Sequence, residues 1–128
     1  MPLNGPHLKI AVVGVLLPYV ARLPKGVEWV QQYTNTGLLG NLFLGILNAI
    51  PWGCMIAASS AFRNTKLVLV PCAFGFGVLA WGHYTLNLHS NANAPIALVI
   101  IPFYATVAVG IGTAVGLAID RLVTRRDA

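Results

Sequence analysis

Acidic side chains are almost missing from this chain. Glu28, Asp120 and Asp127 are the only three in 128 residues. Charged residues of either sign make up 9% of the sequence and apolar residues 57%, with a mean hydropathy of +0.76. A water-soluble domain usually carries about a quarter of its residues as Asp, Glu, Lys or Arg, so this composition excludes an ordinary soluble fold. The charges are also segregated to the N-terminus, to residues 22–28, to Arg63 and Lys66, and to the tail from Asp120 onward. The apolar stretches between them hold none. A bilayer selects that layout, because a charge in hydrocarbon costs several kcal/mol.

Other absences narrow the function. No apolar segment contains Asp or Glu, the usual coupling groups of proton- and sodium-driven transporters. The chain has the size of the small four-span multidrug exporters but lacks the membrane-embedded Glu on which they depend, so their mechanism is excluded. There is no GxSxG, phosphate-binding glycine loop or HExxH. Ser59 and Ser60 have no His or acid nearby in sequence. No catalytic residue, cofactor site or metal site is therefore assigned. Cys54 and Cys72 lie inside apolar segments, outside any ligand spacing, and read as free, inert thiols. The net charge of +5 comes from few, scattered basic residues. With no basic stripe it points to anionic headgroups rather than nucleic acid.

What is present is a set of apolar runs. A spanning helix needs about 20 residues, and four candidates occur: 8–23, 37–62, 67–86 and 94–119. The expected fold is an all-α membrane protein, a compact bundle of four transmembrane helices forming one integral domain over 1–128. Its first span is short and its spans are interrupted by Pro18, Pro51, Pro71 and Pro102. The first segment also has features of a secretory signal, but Tyr19-Val20-Ala21 is a poor cleavage site, so a retained span is expected. The outer loop from Pro24 to Thr36 carries Val27, Trp29, Val30 and Tyr33 at spacings that suit an interfacial helix over 27–33, with Trp29 and Tyr33 at headgroup level.

Small residues form ridges. Asn41, Gly45, Ala49, Gly53, Ala57 and Ala61 recur every fourth position of the second segment. Gly112 and Gly116 form a GxxxG on the fourth, next to a parallel ridge of Gly110, Ala114 and Ala118. Ala73 and Gly77 lie on the third, with Gly75 and Gly82 nearby. Such residues let helix backbones approach closely in lipid. They serve either packing within the bundle or, on the fourth segment above all, mating with a second copy or another membrane protein. Asn41, Asn48 and His83 are the polar residues expected within or near hydrocarbon. They suit interhelical hydrogen bonds, with lining of a polar passage as the alternative. His83 could also join Tyr84, Asn87 and His89 in a polar cluster on the outer surface.

The expected function is that of a small, non-enzymatic inner-membrane protein. It would act by helix–helix interaction, through self-association or as an accessory or immunity-type partner. An oligomeric channel or transporter is the alternative, and a lipid-modifying enzyme a more distant one. Arg63, Lys66, Arg121, Arg125 and Arg126 flank one side of the spans, whereas residues 87–93 hold no Lys or Arg. The positive-inside rule then puts both termini in the cytoplasm. Arg22 and Lys25 fall on the outer side and are expected to snorkel to the headgroups. Alkaline phosphatase fused after Asn91 should be active and after Ala128 inactive. Activity at Ala128 would reverse the assignment.

Overall fold

The computed structural model describes residues 5–35, 37–90 and 92–127. Positions 1–4, 36, 91 and 128, which include parts of both expected outer loops and the ends of the expected 1–128 domain, lie outside the described residues. The chain is 88% helical, with no strand among the described residues. The helices are α1 (Gly5–Arg22), α2 (Val27–Thr34), α3 (Gly37–Ser59), α4 (Leu69–Thr85) and α5 (Ala94–Arg126). Four stretches are long and apolar enough to cross a membrane: Gly5–Lys25, Gly37–Ser59, Thr65–Thr85 and Ala94–Arg126.

Each long helix buries one narrow stripe, spaced three or four residues apart as a helix face requires. In α1 the stripe is His7, Ile10, Gly14, Pro18 and Arg22. In α3 it is Leu44, Asn48, Pro51 and Met55. In α5 it runs from Ala94 through Leu98, Pro102, Ala105, Val109, Gly112 and Gly116 to Asp120. Pro18, Pro51, Pro71 and Pro102 are fully buried. The remaining faces carry large apolar side chains outward, with Leu38 77%, Leu39 82% and Trp81 70% exposed. So continuous an apolar exterior suits hydrocarbon rather than water.

Several boundaries differ from the sequence expectation, each for a local reason. The first helix starts at Gly5 and gives way after Arg22 to a 3₁₀ turn at Leu23–Lys25, where Pro24 sits in the first turn. The second span stops at Ser59 rather than 62. There the Ser59 and Ser60 hydroxyls donate to the carbonyls of Ile56 and Ala57 at 2.6 and 2.9 Å. The third span opens as a 3₁₀ turn, Thr65–Val68, capped by the Asn64 side chain, which accepts from Lys66 N–H at 3.1 Å. The last helix continues past 119 to Arg126. Its 33 residues make a rod of about 50 Å, against a hydrocarbon core of about 30 Å. Asp120, assigned from sequence to a tail outside the spans, therefore belongs to α5 and is only 3% exposed.

Glycines set the closeness of the bundle, and they are not all the ones expected. A Cβ on Gly112 would lie 2.8 Å from the Pro71 backbone, and one on Gly116 would lie 2.8 Å from the Phe62 ring. Gly75 takes the side chains of Met55 and Val109 into its gap, Gly82 takes Ile101, and Gly14 takes Trp52. Gly112 and Gly116 are thus packed inside the bundle, the first of the two uses expected for this GxxxG. On α4 the packed glycines are Gly75 and Gly82, while Ala73 and Gly77 face outward. Gly112→Ala should cost about 1–3 kcal/mol, as overpacking of a close contact does. Gly110→Ala, two residues away with nothing within 4 Å of the added atom, should be neutral or stabilise by up to about 1 kcal/mol. Reversible unfolding in mixed micelles measures both, and equal stabilities would contradict this packing.

Candidate functional site

Polar side chains gather inside the bundle at the end where α1 and α4 finish and α3 begins. Arg22 is the last residue of the α1 stripe, so the period that buries Ile10, Gly14 and Pro18 also carries its guanidinium inward. It is 0% exposed. One nitrogen donates to the carbonyl of Leu86 at 3.2 Å and, at 3.5 Å, to that of Trp29. Leu86 caps the C-terminal end of α4, where the helix dipole presents partial negative charge. The guanidinium carbon lies 5.6 Å from the centre of the Tyr33 ring and 5.8 Å from that of Trp29. Nε and Nη2 have no hydrogen-bond partner. The cation is thus held by carbonyl dipoles and ring faces, without a carboxylate.

Tyr33 is the hub. Expected at headgroup level, it is instead 3% exposed. Its ring meets Tyr19 and His83 edge-on, each at 5.3 Å between centroids, and its hydroxyl accepts from Asn48 Nδ2 at 2.9 Å. Burial, helped by the nearby Tyr19, pushes the Tyr33 phenol up to about 12, so it stays neutral. His83 is 1% exposed with both ring nitrogens unpartnered, and Asn48 Oδ1 is likewise buried without a partner. A cavity of about 70 Å³ lies beside Asn48, Tyr33, Tyr19 and Trp52, large enough for water.

The residues singled out from sequence separate in space. Asn48 and His83 meet around Tyr33. Asn41 does not join them and donates instead to the Thr34 carbonyl at 3.0 Å, so the two asparagines hold consecutive residues of α2. His83 turns inward while Tyr84 is 44% exposed, and the Asn87 side chain accepts from the His89 backbone at 3.0 Å. The suggested outer-surface cluster of His83, Tyr84, Asn87 and His89 is therefore not assembled. Nothing lies within 4 Å of where a side chain would begin on Gly45 or Gly53; Gly45 is exposed and borders the cavity of about 70 Å³, and Ala49 and Gly53 are half-buried.

Sequence reasoning missed Arg22 and Tyr33 as core residues. The signal was there: Arg22 continues the three-or-four spacing of the α1 stripe. It was overridden by the general habit of arginine near a helix end to reach outward. Lys25 does stay at the surface, with its ammonium 4.8 Å from the Trp29 ring and 4.6 Å from the Tyr84 ring. At the opposite end, His7 Nε2 lies 2.9 Å from Ser59 Oγ. The Ser59 hydrogen is engaged by Ile56, so His7 donates. Among the described residues no group of three His, Cys, Asp or Glu could hold a metal ion. Comparison with known protein families, curated proteins and solved structures finds no match.

Chemically, the cluster offers buried donors around a fixed positive charge and no carboxylate to act as a base. Removing the charge while keeping the volume should be tolerated, because an uncompensated buried ion is costly and apolar isosteres often replace it without loss. Arg22→Met is expected to melt in detergent at or above the wild-type temperature. Tyr33→Phe, which leaves Asn48 Nδ2 without its acceptor, should lose about 1–3 kcal/mol. A large loss for Arg22→Met would show that the carbonyl contacts outweigh the burial of charge.

Proposed function

We propose that this protein is a small integral protein of a bacterial cytoplasmic membrane, with both termini in the cytoplasm, that works through helix contact. It either associates with itself or serves as an accessory or immunity-type partner of another membrane protein. The face of α3 that the bundle leaves free carries this reading. Gly45 and Gly53 have open space where a side chain would begin, with Ala49 between them, and exposed Leu42 and Ile46 on either side of Gly45. A second helix can approach such a face closely, and in lipid that approach supplies contact energy that apolar burial does not.

The distribution of charge supports the orientation. Arg63, Lys66, Arg121, Arg125 and Arg126 are exposed at one end. At the other, Arg22 is enclosed and Lys25 is held over aromatic rings, so the basic residues that count against the positive-inside rule are both engaged by the protein. Conduction through one copy has less support. Between the Asn48 level and the Arg63 end the core carries the apolar cluster Ile10, Met55, Cys72, Val109, Val68 and Phe62.

Gly53→Cys in a Cys54→Ala background tests the contact face. Oxidation in native membranes should give a crosslinked product, and Gly45→Leu should abolish it without lowering the melting temperature. Monomer alone under all conditions, with no crosslink to itself or to another protein, would remove the proposal.

A further inference from the structure

We infer that the end of the bundle carrying Arg63 binds the phosphate group of an anionic phospholipid. A cleft of about 500 Å³ opens there, lined by Ala61, Arg63, Leu117, Asp120, Arg121 and Arg125. Its volume falls in the range of sites that enclose small organic ligands. Three arginines against one carboxylate leave a formal surplus of +2 in the cleft. The carboxylate is ion-paired with none of the three guanidinium groups. Asp120 is 3% exposed, and its two oxygens accept the backbone N–H groups of Arg63 and Asn64 at 2.8 and 3.1 Å. Among the described residues none of the three arginines forms an ion pair.

The same contact assembles the site. By clamping the 63–64 turn onto α5, Asp120 holds Arg63 beside the α5 face that carries Arg121 and Arg125, which are four residues apart and stacked on one side. Guanidinium groups from two elements then converge on one cleft, an arrangement suited to the several oxygens of a phosphate.

Lipid, rather than a free phosphate ion, is indicated by what lies next to the arginines. Gly110, Ala114 and Ala118 precede Arg121 and Arg125 at intervals of four, four and three residues, so all five share one helical face. All five are exposed, and nothing lies within 4 Å of where a Gly110 side chain would begin. The arginines thus stand at the foot of a shallow, small-residue strip along which an acyl chain can lie. Basic clefts at the cytoplasmic edge of membrane helices suit anionic headgroups. The site rests on the reading that these helices span a membrane.

Full-length protein in neutral detergent micelles, titrated with short-chain phosphatidylglycerol, phosphatidylcholine or inorganic phosphate, tests the inference through ligand-dependent melting. Phosphatidylglycerol should raise the melting temperature saturably, while phosphatidylcholine and inorganic phosphate at equal concentration should not. The double variant R121Q/R125Q should bind roughly 30-fold more weakly, the factor for losing two interfacial cations, with its lipid-free melting temperature unchanged. Lys25→Gln, at the other end, should bind like wild type. An equal response to phosphatidylcholine, or an unaffected double variant, overturns the site. Stabilisation by inorganic phosphate equal to that by lipid reassigns it to a free anion and overturns the lipid. Because binding is read in micelles, failure of the protein to remain with alkaline-extracted membranes would instead count against the spanning reading, and the two failures stay distinct.

Discussion

Close contact between α4 and α5 is the constraint on which the bundle depends. Gly112 meets the Pro71 backbone, Gly82 receives Ile101, and Gly75 admits Val109 together with Met55 from α3. Where apolar surface on both sides of a helix is equally content in lipid, what distinguishes one arrangement from another is how closely the backbones pack. These glycines make α4 and α5 the closest pair, and Gly14 brings α1 against Trp52 of α3 in the same manner. Within the helices, Gly45, Gly53, Gly77 and Gly110 are left open. The protein thus sorts its small residues into those that build the bundle and those that remain outward.

The two ends of the bundle solve the same electrostatic problem in opposite ways. At one end a cation is buried without a carboxylate. Carbonyl dipoles at the close of α4 and the faces of Trp29 and Tyr33 hold Arg22, and the neutral Tyr33 phenol and the His83 ring complete the cluster. At the other end an anion is buried without a side-chain cation, because Asp120 takes its hydrogen bonds from the backbone of the 63–64 turn. Each buried charge fastens a connecting segment: Arg22 ties α2 and the end of α4 to α1, and Asp120 ties the α3–α4 turn to α5. Asp120, with both oxygens satisfied by backbone donors, acts as a clasp between elements, whereas Arg22 joins its elements while carrying the cost of an unpaired buried charge. The arginines beside Asp120 outnumber it, which is the basis of the proposed headgroup site.

Much of the fold was legible in the residues. Four apolar stretches, separated by charges and turn residues, foretell four long helices, and α2 fits the spacing of Val27, Val30 and Tyr33. The cluster was less legible. Asn48 and His83 stood out because amide and imidazole groups are rare in such company. Arg22 and Asp120 did not, because each lies at the edge of an apolar stretch where residue type suggests water or headgroups. Their helical phase would have corrected this: Arg22 is in register with Gly14 and Pro18, and Asp120 with Gly112 and Gly116. The GxxxG of α5 left two uses open for a related reason. A short motif shows that a close approach is possible, and says nothing of which helix makes it.

The sequence by itself determined that this chain is helical, that four helices are apolar along most of their length, and that the positive charges collect at one end. Composition and period suffice for that, since both act locally along the chain. The tertiary structure alone decided which glycines pack and which stay open. It also decided that Tyr33 enters the core, and that a lone arginine and a lone aspartate are enclosed at opposite ends. Those outcomes depend on which faces meet, a pairing set by the summed contacts of several helices.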